Sequence, residues 1–268
     1  MQQKTFDILL SSKSWQQVLA SVKESKTTAL YDVTESQRAF LAAALSAAAD
    51  RPVLYIASSE ALASRVAEDA AQLLGGLGTA AIVVGSVVAL RQERLKLLVA
   101  YSTMAQIGYL FLMFPLAFDS SGNGPVQGFA LTGGLLQVIS HATAKAGMFM
   151  AAGLIYAALG HDRIADLAGV ARAMPVTVLA FALAGLALMG VVPSGAYLAK
   201  KLMLDAADAS GQWWWAVVLQ GGAVFTAGYV VLVLVSVLRR RAEPMPLAKR
   251  VSRLSELAAL TLSACSLL

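Results

Sequence analysis

A lysine in the middle of a long apolar stretch constrains this chain more than any other feature. Leu131–Leu159 is long enough to cross a bilayer and is interrupted by His141 and Lys145. A charge at bilayer depth costs from ~3 to over ~10 kcal/mol, so it persists only facing a polar interior, with a partner, or neutral. His141 lies one helical turn before Lys145, and Gln137 one turn before that. The three residues form a polar stripe on an apolar helix. Histidine titrates near ~6.5, which suits such a stripe to passing protons. The other readings are a helix-packing contact and a snorkelling lysine. Lys145 lies too far from either end of the stretch to snorkel easily.

Other charge-poor stretches surround this one. Leu73–Leu90 has eighteen residues and no charge, and Leu97–Phe118, Val176–Val192 and Trp213–Leu238 are further spans. Trp213, Trp214 and Trp215 sit at one end of the last as an interfacial anchor. Leu254–Leu268 has fifteen residues and reads as a helix that stops short. Across the whole chain 14% of residues are charged and mean hydropathy is +0.67, against ~25% charged in soluble domains. The expected fold is therefore mainly α: a polytopic transmembrane bundle of five or six helices, one broken at Pro193, preceded by a small α/β segment.

Loop charges give the orientation. With five crossings, the 91–96, 160–175 and 239–253 loops share one side and carry eleven Lys/Arg. The 119–130 and 194–212 loops share the other and carry two, Lys200 and Lys201. The first side is then cytoplasmic. That orientation starts the first span outside, although the N-terminus holds no export signal. The net charge of +5 lies in these loops, so it reads as membrane topology and no nucleic acid is expected as a partner of residues 75–268. The lone Cys265 excludes an internal disulfide, and no Cys/His cluster suggests zinc or iron–sulfur; no cofactor is expected.

Residues 1–72 have soluble composition, with seven Lys/Arg and eight Asp/Glu. Helical periodicity runs from Phe6 to about Val22. Ala29–Val33 is a strand candidate, and Thr34 with Gln37 forms a capping box before a helix over Glu35–Ala49. Pro52–Ala57 is a second strand candidate, and Ser58 or Ser59 caps a helix ending near Leu74. Helix–strand–helix–strand–helix implies parallel strands. The turn at Tyr31–Gln37 lacks the glycine and lysine of a phosphate loop, so nucleotide hydrolysis is not expected.

Two further features carry chemistry. Pro193-Ser194-Gly195 interrupts a helix ahead of Lys200. It reads either as a discontinuous helix exposing its ends at membrane depth or as an ordinary loop. Gln92-Glu93-Arg94-Leu95-Lys96 reads as a solvated loop at the mouth of a span. Ser102, Thr103 and Gln106 add a polar face to the helix that follows, and such residues more often glue helices than conduct ions.

LRQERLKLLVAYSTMAQIGYLF, QVISHATAKAGMFMAAGLIYAALGHDRIADLAGVARAMP and GVVPSGAYLAKKLML fall here in one order and spacing. Over about 75–250 this resembles the antiporter-like subunits of complex I, membrane-bound hydrogenases and Mrp-type sodium/proton antiporters. The resemblance implies a proton path along the membrane midplane through Lys96, His141, Lys145 and Lys200, with Ser102, Gln137 and Ser140 in support and the helix broken at Pro193 and Gly195. It implies a non-redox subunit of a larger complex in the bacterial inner membrane, with other membrane subunits as partners and protons or sodium as the ion. Arg94 stands where the family pattern has Asp, and Gln137 where some members have a second histidine. Full members have about fourteen helices, so the chain is expected to match the later part of such a subunit.

Residues 1–74, with TALYDVTESQRAFLAAALSAAADRPVLYIASSEALASRVAEDAAQLL, are similar instead to the start of the transcription-repair coupling factor, in its UvrB-like module. That resemblance implies an excision-repair partner for residues 1–74. It also implies a chimeric chain divided into 1–74 and 75–268. The alternative function is then a repair-factor interaction fragment fused to an incidental membrane segment.

Overall fold

The computed structural model describes residues 13–24, 34–49, 52–55, 57, 59–118, 128–242 and 245–267. The chain divides into two units, Met1–Leu73 and Leu74–Leu268.

In the first unit, α1 (Lys13–Lys23) packs against α2 (Glu35–Ala49), with Trp15, Val18, Ala39 and Ala44 buried. The capping residues act as their types dictate. The Thr34 amide donates to Gln37 Oε1 at 3.0 Å, the reciprocal half of a capping box, and the Leu62 amide donates to Ser59 Oγ at 3.3 Å. The segment expected as a strand at Pro52–Ala57 is not one in its described residues, 52–55 and 57. A strand needs a ladder partner for its backbone, and Leu54, 86% exposed, also has no covering layer. The other strand expectation, Ala29–Val33, and the start of the first helix before Lys13 lie outside the described residues.

The helix beginning at Glu60 does not stop near Leu74. It runs as one element, α3 (Glu60–Leu90). Glu68 and Asp69 make its first part polar, but neither residue ends a helix. Hydropathy marks where the apolar stretch begins, not where the helix begins.

The second unit continues with α4 (Leu95–Phe111), the short α5 (Met113–Leu116), α6 (Phe129–Leu159), α7 (Val170–Ala173), α8 (Pro175–Met189), α9 (Gly195–Ala209), α10 (Trp213–Leu238) and α11 (Arg253–Cys265). Among the described residues, four segments are long and apolar enough to cross a membrane: Ala61–Leu90, Leu95–Leu116, Phe129–Leu159 and Trp213–Leu238. At ~1.5 Å per residue, the 15 residues of α8 reach only about 22 Å, short of the hydrocarbon core. The expected fourth crossing is therefore too short to span on its own. Pro175 opens α8 at its first turn, and Gly190 closes it with φ of 81°. Ser194 then caps α9, its hydroxyl accepting from the Tyr197 amide at 3.1 Å. The segment 194–212, expected as a loop, is thus mostly a helix, packed against α6.

Loops at one end are tied together by their backbones. The Leu95 amide donates to Asp162 O at 2.8 Å, Ile164 to Glu93 O at 2.8 Å, Gly169 to Arg239 O at 3.0 Å and Ala248 to Ala158 O at 2.8 Å. These are the arginine-rich loops that the charge pattern places on one side. At the other end Gln212 Nε2 donates to Pro115 O at 3.0 Å and Phe118 O at 2.6 Å.

Two apolar clusters fill the interior. One holds Leu95, Leu98, Val99, Met148, Ile155, Phe181, Tyr229 and Val233; the other holds Ile82, Tyr109, Leu112, Leu116, Met203, Trp215 and Leu219. On α4, α6 and α10 the buried polar residues fall between them in chain order: Ser102 and Gln106, Gln137 to Lys145, and Thr226.

Candidate functional site

The polar belt is built on α6. Lys145 sits about 24 Å from the start of this helix and about 21 Å from its end, at ~1.5 Å per residue. Its side chain cannot reach either surface, and it is 5% exposed. The ammonium donates to Ser102 Oγ at 2.5 Å and to Val99 O at 3.1 Å, both on α4. Val99 O also accepts from the hydroxyls of Ser102 and Thr103, each at 2.9 Å, so several donors share this one carbonyl. Among the described residues Lys145 has no ion-pair partner.

His141 is buried one turn away, close enough for the two charges to interact, and its Nδ1 makes no hydrogen bond among the described residues. Gln137, the third member of the stripe, donates from Nε2 to Gln106 Oε1 at 3.2 Å. Gln106 Nε2 in turn donates to Thr226 Oγ1 at 3.0 Å and to the Tyr229 phenol at 3.2 Å. The Tyr229 hydroxyl donates to Thr226 Oγ1 at 3.2 Å, and Ser102, the partner of Lys145, lies one turn before Gln106 on α4. Three helices are thus joined by one buried network at mid-depth.

Lys200 is delivered by α9 to the end of α8. It is 7% exposed, and its ammonium donates to Leu188 O at 3.1 Å and Met189 O at 3.3 Å, the terminal carbonyls of α8. A cation at a helix C-terminus meets both unpaired carbonyls and the negative end of the dipole. The ammonium also lies 5.0 Å from the centre of the Tyr109 ring. The break at Pro193 and Gly195 turns the chain so that α9 delivers Lys200 to the end of α8. Gly195 passes close to Ser140, where an added Cβ would stand 3.1 Å from the serine Cβ.

Lys96 does not join this group. It is half-buried in the first turn of α4, its ammonium 3.9 Å above the Tyr156 ring. Tyr156 is eleven residues from Lys145 on α6, about 16 Å along the axis. The Lys96 amide donates to Asp162 Oδ2 at 3.2 Å, so this lysine belongs to the tied loops at the bundle's end.

Sequence reasoning finds His141, Lys145, Lys200, Ser102 and Gln137, and it reads Gln106 as a residue that joins helices. It misses Tyr109, Thr226 and Tyr229. The available signal is spacing: Tyr109 follows Gln106 by three residues, and Tyr229 follows Thr226 by three, each pair on one face of an apolar span.

Comparison with known proteins bears on the family and the fold. The family described as NADH:quinone oxidoreductase/Mrp antiporter, TM matches residues 33–226. NADH-quinone oxidoreductase subunit N of Desulforudis audaxviator is 35% identical over 163 residues, 61% of this chain and 31% of the relative. F(420)H(2) dehydrogenase subunit M of Methanosarcina mazei is 33% identical over 132 residues, 49% of this chain and 25% of the relative. The chain therefore spans a third or less of the length of these curated relatives. In the structure of the Mrp complex from Dietzia sp., one polypeptide superposes with a TM-score of 0.65 at 20% identity, covering 76% of this chain and 46% of that one, which shows a shared fold. The family match begins ahead of residue 74, and the comparisons lend no support to a coupling-factor origin for residues 1–74.

Proposed function

The chain belongs to the NADH:quinone oxidoreductase/Mrp antiporter transmembrane family, and from that premise we propose that it is a proton- or sodium/proton-translocating membrane subunit. It works within a larger respiratory or antiporter complex, beside other membrane subunits, in a bacterial inner membrane. Protons hop through Lys145, with His141 on one side and Lys200 on the other, and Lys96 stands at the mouth. Residues 1–74 are a separate segment with no part in the path.

The observation that carries this reading is the Lys145 ammonium at mid-depth, held by a hydroxyl and a carbonyl and by no carboxylate among the described residues. Both partners accept from an ammonium. The Ser102 hydroxyl can also reverse and donate to a free amine, so the same contact serves both protonation states. A purely structural lysine would gain from a fixed counter-ion. A carrier is better served by a partner that turns over with it. The hydroxyls of Thr226 and Tyr229 have the same two-way capacity, and the amides of Gln106 and Gln137 supply a donor and an acceptor on separate atoms.

The test is dye-reported proton flux into liposomes containing the full chain, driven by a potassium diffusion potential. Lys145→Ala is expected to abolish the flux and Lys145→Arg to retain part of it. Flux unchanged in Lys145→Ala would sink the proposal. Repeating the assay with a sodium gradient separates a proton carrier from a sodium/proton exchanger.

A further inference from the structure

The break between α8 and α9 leaves two helix ends inside the bundle, and the chain fills one of them. Lys200 occupies the carbonyl end of α8. At the amide end of α9, Ser194 serves the Tyr197 amide through its hydroxyl at 3.1 Å and the Leu198 amide through its carbonyl at 3.2 Å. The Gly195 amide reaches Ser266 O at 3.4 Å, and the Ala196 amide has no partner among the described residues. Ser194 is 7% exposed and Ala196 0%, so bulk water does not supply the missing acceptor. A second unpaired donor faces the same place. Ser140 on α6 is 4% exposed, and its hydroxyl has no partner among the described residues. Its oxygen lies 3.3 Å from the position a Cβ of Gly195 would take, so the missing side chain leaves a space between hydroxyl and helix start. Buried donors are paired as a rule, and these call for a partner.

Charge says what kind of partner fits. The positive end of the α9 dipole points into this space. Lys145 lies five residues past Ser140 on α6, and Lys200 five residues past Gly195 on α9, ~7.5 Å along each axis. Both ammonium groups are buried, and in a low dielectric their fields reach across such distances. No carboxylate answers them among the described residues: α4, α6 and α8 carry no Asp or Glu, and Asp205 and Asp208 are exposed further along α9. Size narrows the choice. The space is about that of the side chain glycine lacks, too small for a sulfate, a phosphate or an organic acid.

The geometry points to a site for one monatomic anion, chloride, held by the Gly195 and Ala196 amides at the start of α9 and by the Ser140 hydroxyl. The anion supplies the counter-charge that the surrounding helices lack. It takes no hydrogen bond from either ammonium, since both already donate to oxygens of α4 and α8. Its binding does not depend on whether the lysines carry protons across the membrane.

The test is chlorine NMR of the purified full chain in detergent, with sodium chloride exchanged for sodium gluconate at constant ionic strength. Bound chloride broadens the free-chloride line, and the broadening saturates when a site fills. The unaltered chain is expected to give saturable broadening that bromide competes away and gluconate does not. Ser140→Ala is expected to weaken the binding about tenfold, the worth of one hydrogen bond to a charged acceptor. Gly195→Ala puts a Cβ into the space, 3.1 Å from the Ser140 Cβ, and is expected to abolish it, which gives a second reading should Ser140→Ala not fold. Ser236→Ala removes a hydroxyl bonded within its own helix to Leu232 O and is expected to leave binding unchanged. No saturable broadening in the unaltered chain overturns the proposal and leaves the space to water. Unchanged affinity in Ser140→Ala or in Gly195→Ala overturns the site, since chloride would then be bound elsewhere. Equal weakening in Ser236→Ala overturns it too, because the loss would not be specific to this place.

Discussion

The Lys145 ammonium meets the Ser102 hydroxyl at 2.5 Å across the α4–α6 interface, a contact between residues 43 apart in sequence. Ser102→Ala removes one of the two partners of a buried cation. Leaving a buried polar group short of a partner costs ~1–3 kcal/mol. Ser102→Ala is therefore expected to lower thermal stability in detergent by about that much and to slow proton flux. Ser102→Thr, which keeps the hydroxyl, is expected to hold both near their original values. Equal loss in the two variants would show that packing, and not the hydroxyl, is what matters at this position.

Gln212 makes a stronger structural claim. It is 1% exposed, donates from Nε2 to Pro115 O and Phe118 O, and accepts from Trp215 Nε1 at 2.9 Å. Gln212→Leu keeps the volume, strands the Phe118 carbonyl and the Trp215 indole N–H, and leaves Pro115 O with only the Phe118 amide. Single interhelical bonds in membranes average about 0.6 kcal/mol. Losing all three is expected to destabilise the fold by about 2–3 kcal/mol, read as a lower midpoint in a detergent unfolding titration. Flux per folded molecule should be unaffected, because the residue is at the end opposite the arginine-rich loops.

Much of this is legible in the sequence, and the failures have physical causes. Spans are legible because charges are absent from them, and the joint between α8 and α9 because Pro175, Gly190, Pro193 and Ser194 each act locally. Lys145 announces itself because a charge in an apolar stretch demands an explanation. Thr226 and Tyr229 do not, because their meaning comes from Gln106, more than a hundred residues away, and Tyr109 does not, because its meaning comes from Lys200 on another helix. No local pattern encodes that meeting. The motif around Lys96 groups it with the buried lysines, whereas Tyr156 and Asp162 hold it at the bundle's end. The start of α3 after Ser59 is legible from its cap, but its expected end near Leu74 is not, because the apolar stretch begins inside a helix that runs on to Leu90. The strand at Pro52–Ala57 fails because β-structure depends on a partner that the segment itself cannot supply.

Close helix approach gives a prediction with two opposite signs. A Cβ added at Gly108 on α4 would meet the Gly78 carbonyl oxygen of α3, with Ile82 Cγ1 at 2.7 Å. The carbonyl is backbone and cannot swing away. Gly108→Ala is expected to destabilise by ~1–3 kcal/mol through overpacking. At Gly153 on α6 an added Cβ meets nothing within 4 Å. Gly153→Ala is expected to stabilise by ~0.5–1 kcal/mol, because alanine loses less backbone freedom in a helix. Unfolding midpoints of the two variants should therefore move in opposite directions.

Tyr109 and Tyr229 are both fully buried, yet removing their hydroxyls should not have the same effect. The Tyr229 hydroxyl accepts from Gln106 and donates to Thr226. Tyr229→Phe leaves both partners short and is expected to cost about 1–3 kcal/mol. The Tyr109 hydroxyl makes no hydrogen bond of normal geometry among the described residues, with Thr226 and Tyr229 acting on it only at longer range. Its ring is what Lys200 uses, at 5.0 Å. Tyr109→Phe keeps that ring and is expected to change stability by less than about 0.5 kcal/mol. Tyr109→Leu removes the ring face and leaves a void, which is expected to cost about 2–4 kcal/mol and to loosen Lys200 from the end of α8. Thermal unfolding of the three variants gives the order, and lysine-selective labelling of Tyr109→Leu against Tyr109→Phe checks the second part. Increased labelling of Lys200 in the leucine variant alone is the expected result. Equal labelling would show that the carbonyls of Leu188 and Met189 hold the ammonium without the ring.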